Sequence, residues 1–130
     1  LQPLFGKVDF TNVERSFGAI PEGASEILER YYRMKLSGIQ FFGGSFFHVP
    51  LIEGFHRLAL TFPAILWIAR WLAASAGRDA MTTDDVITAL TVVDHQWGFA
   101  GTFGFAYSRW RVRVLANHGQ IERLILRYSN

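Results

Sequence analysis

Residues 50–76 read PLIEGFHRLALTFPAILWIARWLAASA, and whether they form a core helix or a membrane span decides the fold. Leu51, Phe55, Leu58, Phe62, Ile65, Ala69, Leu72 and Ala76 recur at spacings of three and four, the period of one helix face. Leu60, Trp67 and Trp71 add a second apolar strip on the far side, which places such a helix in the middle of a bundle. Pro50 suits a first helical turn. Pro63 removes the bond to the carbonyl of Ala59 and predicts a kink. Residues 58–76 carry only Arg70 as a charge, close to what a bilayer span requires. An arginine inside hydrocarbon is costly, however, and Glu53, His56 and Arg57 stand just before the run. The core helix is the preferred reading.

Outward from this element the chain continues to read as helices. Residues 1–24 have no sustained period and contain Pro3, Pro21 and several glycines, the pattern of an irregular arm or linker with at most a short strand or a turn of helix. Ser25 offers an N-cap to a helix with Ile27, Tyr31, Met34 and Gly38 on one face and Glu26 and Glu29 in its first turn. Gly43, Gly44 and Ser45 break it. Downstream, Thr82 or Thr83 caps a helix with Asp84 and Asp85 at its positive end and Val86, Leu90, Val93 and Trp97 as its buried stripe. Gly98, Gly101 and Gly104 then recur at a period of three, suited to close helix approach or a tight turn.

The run AYSRWRVRVLANHG, 106–119, supports two readings. As a helix it buries Phe103, Tyr107, Trp110 and Val114; as a strand, Trp110, Val112 and Val114 alternate with Arg109, Arg111 and Arg113. Asn117 and Gly119 resemble a helix stop, which favours the helix. A last short helix turns Ile121, Leu124, Ile125 and Tyr128 inward. The expectation is an all-α, single-domain bundle of about five helices around a Pro-kinked central helix, 50–76, with an arm at 1–24 and the helical domain at 25–130.

Composition narrows the function classes. The chain has 130 residues, of which 50% are hydrophobic, 15% aromatic and only 18% charged, so it buries a large aromatic core or lends an apolar face to a partner. A net charge of +2 with one modest cluster, Arg109, Arg111 and Arg113, does not point to nucleic acid; a solvated face or carboxylate pairing is the expectation for these arginines. There is no cysteine, which excludes disulfides, cysteinyl zinc and cysteine-ligated iron–sulfur clusters within the chain and fits a reducing cytoplasm. The chain opens on Leu1 with no signal-peptide pattern and is expected to be a segment of a longer protein.

The candidate polar residues are Glu53, His56, Arg57, Arg70, Asp94 and His95. Asp94 and His95 are adjacent, so on a helix they point about 100° apart and cannot form an acid–base dyad. Asp94 is expected half-buried, paired with Arg57 or Arg70, and His95 near solvent with Asp84 and Thr91. Glu53 and His56 share a helix face at i, i+3, the best remaining carboxylate–imidazole combination. Glu53 also precedes Arg57 by four residues, the favourable order for a plain ion pair. The histidines at 48, 56, 95 and 118 form no HxxxH or HxxE pair, so no metal site is expected. Neither nucleotide-binding fingerprint is present.

The stretches YYRMKLSGIQFFGGSFF, PLIEGFHRLALTFPAILWIARWLA and TTDDVITALTVVDHQWGF resemble the helical C-terminal region of YkgJ-type cysteine-cluster proteins, which are related to the flagellin lysine-N-methylases. The resemblance covers roughly residues 25–130. It implies an accessory helical domain that packs against an upstream cysteine-rich module holding zinc or iron, and that shapes a substrate or partner surface. This chain has none of those cysteines, so no metal ligand carries over and any cofactor belongs to the upstream region. Two alternatives stand beside it: a membrane-associated helical protein using 58–76 and the aromatics of FFGGSFF, 41–47, and a small enzyme working through the Glu53/His56 or Asp94/His95 neighbourhood.

Overall fold

The run at 50–76 becomes the axis of the structure. In the computed structural model, which describes residues 8–15, 17–44, 48–99 and 106–129 without the side chains of 97–99, it forms one helix through Pro63. Six helices are present among the described residues: α1 (Phe10–Glu14), α2 (Glu22–Ser37), α3 (Leu51–Ser75), α4 (Thr83–Phe99), α5 (Ala106–Asn117) and α6 (Gln120–Tyr128). They form an all-α bundle in which α1, α4, α5 and α6 all pack against α3, while α2 packs on α4. Phe103, Gly101 and Gly104 lie outside the described residues, as do Ser45 and the side chain of Trp97.

The second half of α3 carries the hydrocarbon core. Ile65, Leu66, Ala69 and Ala73 bury against Val86 and Ala89 of α4, Ala24 and Leu28 of α2, Phe17 and Tyr128. Each large side chain so buried stabilises the fold by about 1.5–3 kcal/mol. The stripe read from the sequence is not covered along its whole length, because Leu51 and Phe55 remain about half exposed. With Leu36 and Ile125 nearby, Phe55 lines an open apolar groove instead. Leu60, Trp67 and Trp71 are partly buried.

Local chemistry sets the ends of the elements. The helix expected from Ser25 starts earlier, at Glu22, since Pro21 supplies the first free carbonyl, accepting from the Ser25 N–H at 3.0 Å. Its buried face is Ala24, Leu28, Tyr31 and Lys35, so Met34 and Gly38 point outward, contrary to the apolar spacing. The roll brings Tyr31 and Lys35 to Asp94 on α4. After α3, Gly77 takes φ +70 and the N–H groups of Gly77 and Arg78 return to the carbonyls of Ala74 and Ala73, a Schellman stop. Thr82, rather than Thr83, caps α4 through a reciprocal box: the Asp85 N–H donates to Thr82 Oγ1, and the Thr82 N–H donates to Asp85.

The described part of the arm before α2 is folded onto the bundle. Asp9 caps α1, and Val13 and Phe17 are buried against α3 and its neighbours. Gly54 is required inside α3 for a different reason: a Cβ there would stand 2.0 Å from the carbonyl oxygen of Phe41, so the loop after α2 crosses directly over the helix.

Candidate functional site

Helix α5 confirms the helical reading of 106–117 and inverts its faces. Tyr107 and Trp110 are 68% and 59% exposed, and Val114 also faces solvent, whereas the sequence pattern placed all three inward. The residues turned toward α3 are Val112, Arg109 and Arg113. The cause is Glu53. This carboxylate sits in the first turn of α3, where the helix dipole favours it, and only 5% of the residue is exposed. Arg109 clamps it with Nε at 2.8 Å and Nη2 at 3.3 Å, Arg113 adds Nη2 at 3.1 Å, and buried Arg57 lies 3.7 Å away one turn along α3. Burial pushes the Glu53 carboxyl up, but the hydrogen bonds and charges of Arg109 and Arg113 outweigh it and hold the group below its ordinary range.

Around this cluster the structure places one apolar and one polar cavity. The apolar one, about 360 Å³, lies between α3, α4 and α5 with Leu60, Val93 and Val112 in its wall. The polar one, about 220 Å³, lies between the start of α3 and the end of α5 and is bordered by Glu53, His56, Arg113 and Asn117. Glu53 and His56 therefore share a cavity, as their spacing suggested, although Glu53 spends its oxygens on arginines.

Asp94 forms a separate site. It does not meet Arg57 or Arg70; its cation is Lys35 of α2, at 2.8 Å, and the Tyr31 hydroxyl donates to it at 2.9 Å. Arg57 is held by Glu53, and Arg70 lies deep in the core on the far half of α3. The carboxylate is partly exposed, as expected, and His95 faces solvent beside it at the edge of a cavity with Tyr31 and Met34. Burial and the Asp94 carboxylate push the Tyr31 phenol well above its ordinary value. Asp94 is itself held low: burial raises it, but Lys35 and Tyr31 outweigh that. The phenol thus stays protonated and the carboxylate ionised across the neutral range, which is not the tuning of a proton-transfer pair.

Arg70 serves as a tie. Its guanidinium donates to the backbone carbonyls of Arg15 and Tyr128, each at 3.2 Å, and lies over the rings of Phe17 and Tyr128. It fastens the residues after α1 and the end of α6 to α3. Close by, Glu14 accepts from the Trp67 indole at 3.1 Å, the Tyr128 hydroxyl at 2.7 Å and Arg127. Sequence reasoning missed this hub, since Glu14 stood in a stretch without a period. Nothing local marks it as partly buried.

The six candidate polar residues thus fall into three places: Glu53, His56 and Arg57 at one end of α3, Arg70 in the core, and Asp94 with His95 on α4. Among the described residues, no three His, Asp or Glu side chains converge as metal ligands. By length and composition, α3 alone among the described residues is long and apolar enough to cross a membrane, and 44% of its most apolar window is buried in the fold. No family model, curated protein or solved structure matches the chain.

Proposed function

We propose that this chain is an accessory helical domain that acts by packing against a neighbouring module of its parent protein, and that this module is the metal-holding cysteine-rich region implied by the YkgJ-type resemblance. The observation that carries the reading is the outward stripe of α5. Tyr107, Trp110, Arg111 and Val114 stand at i, i+3, i+4 and i+7 on one exposed face, with Tyr107 and Trp110 stacked at 6.1 Å between ring centroids. Trp, Tyr and Arg are the residue types that dominate binding energy at protein interfaces. A largely aromatic stripe at helical period that stands outside the core among the described residues is a surface suited to a partner.

The site chemistry points the same way. Glu53 is saturated by arginines, and the titrating groups at Asp94 are shifted away from neutrality. Expression of the full reading frame, with iron and zinc measured in the purified protein, tests the proposal. An upstream cysteine cluster with bound metal, and a module whose contact with this domain is broken by Tyr107→Ser with Trp110→Ser, are the expected results. A parent without a cysteine cluster, or a double variant that leaves the module in contact, overturns it.

A further inference from the structure

The opposite face of α5 carries an imbalance of formal charge. Three guanidinium groups, from Arg57, Arg109 and Arg113, share the single carboxylate of Glu53, a surplus of two positive charges. Among the described residues Arg109 and Arg113 pair with no Asp or Glu but Glu53, and the undescribed positions hold no Asp or Glu side chain. Burial and the neighbouring Arg109 both weaken the hold of Arg57 on its proton, and Glu53 only partly offsets this. The cluster is over-positive by construction.

Of the three arginines, Arg113 borders the polar cavity of about 220 Å³ between the start of α3 and the end of α5, whereas Arg57 borders the apolar one. Arg113 enters it having made one hydrogen bond to Glu53, through Nη2. His56 and Asn117 border the same space, and among the described residues neither side chain hydrogen bonds to a protein acceptor. Ile52 and Ala116 supply its apolar edge. A guanidinium fork, an imidazole and a primary amide converging on a small concave space form a donor set matched to a planar or tetrahedral oxyanion. Both oxygens of Glu53 are already engaged, so its charge is more than neutralised toward such a ligand.

We infer that this cavity binds a small oxyanion, the carboxylate or phosphate group of a small molecule, between Arg113, His56 and Asn117. The site lies away from the aromatic stripe of α5 and stands whether or not that stripe docks a partner. Titration of the whole chain with inorganic phosphate and separately with succinate, followed by amide NMR at constant ionic strength set with sodium chloride, tests it.

Saturable shifts centred on residues 52–56 and 113–117 with either anion are expected, and the anion that produces them identifies the preferred group. Arg113→Gln should weaken that binding about tenfold. Asn117→Ala, an exposed change that leaves the Glu53 clamp intact, should weaken it severalfold. Arg111→Gln, the same loss of charge on the same helix but outside the cavity, should leave it unchanged. No saturation with either anion, or equal weakening by Arg111→Gln and Arg113→Gln, overturns the inference, since the arginines would then act only as a diffuse positive field.

Discussion

Helices α5 and α6 follow one another across the short turn at His118 and Gly119 and both pack on α3, yet they sort their side chains in opposite ways. In α6 most of the apolar residues go inward: Ile121 and Tyr128 are buried and Leu124 packs against the main core, with Leu126 left outside. In α5 Arg109 and Arg113 reach across to Glu53 on α3, while Tyr107 and Trp110 go out. The difference lies in what each helix meets. Tyr128 of α6 joins the hydrocarbon cluster of α3, whereas α5 faces the buried carboxylate of Glu53. Leaving a buried charge without its partner costs about 3–5 kcal/mol. Exposing one large apolar side chain forgoes about 1.5–3 kcal/mol, and the polar edges of Tyr and Trp reduce that loss. The ionic demand wins, and the aromatic stripe left outside becomes available to a partner.

Glu53→Ala strikes the comparison hardest. It should destabilise the domain by about 3–5 kcal/mol in urea unfolding, with amide protection lost in α5 before α6. Equal loss in both helices would mean that α5 does not depend on this contact. Ile121→Ala is the counterpart in α6, where removing a buried aliphatic side chain should cost about 2–4 kcal/mol and expose α6 first.

A smaller effect comes from pH. The Glu53 carboxyl is held below its unfolded value of about 4.3, so its contribution is complete above that pH. It is lost as pH falls through the depressed folded value. Stability should therefore drop through this acid window, and Glu53→Gln should flatten the slope there. Trp110→Ser should move stability least, within about 0.5 kcal/mol, because the residue is largely exposed. A large destabilisation would place Trp110 in the core and end the contrast between the helices.

How legible these features were depended on whether a neighbour could overrule the local pattern. The central helix, the stop at Asn117 and Gly119, and the inward face of α6 follow from spacing and turn chemistry, and the structure agrees with each. The inward face of α5 was not legible from apolar spacing, because its orientation is imposed by a carboxylate 56 residues earlier in sequence. The i, i+4 spacing of Arg109 and Arg113 was the available signal, and carboxylate pairing was among the expectations for them. The α2 face failed for the same reason: Lys35 is drawn inward to Asp94, 59 positions away, and Met34 is displaced to solvent. For Asp94 the sequence supplied the need for a cation but not the choice. Arg57 and Arg70 were the expected partners, yet one serves Glu53 and the other ties chain segments to α3 through backbone carbonyls.

The central claim is that the Glu53 clamp, rather than apolar burial, orients α5. A double-mutant cycle between Glu53→Gln and Arg109→Gln, read by urea denaturation, measures it most directly. The account predicts a coupling of about 1–3 kcal/mol between the two positions, with Arg109→Gln nearly neutral once Glu53 is gone. Additive effects, with a coupling near zero, would contradict it.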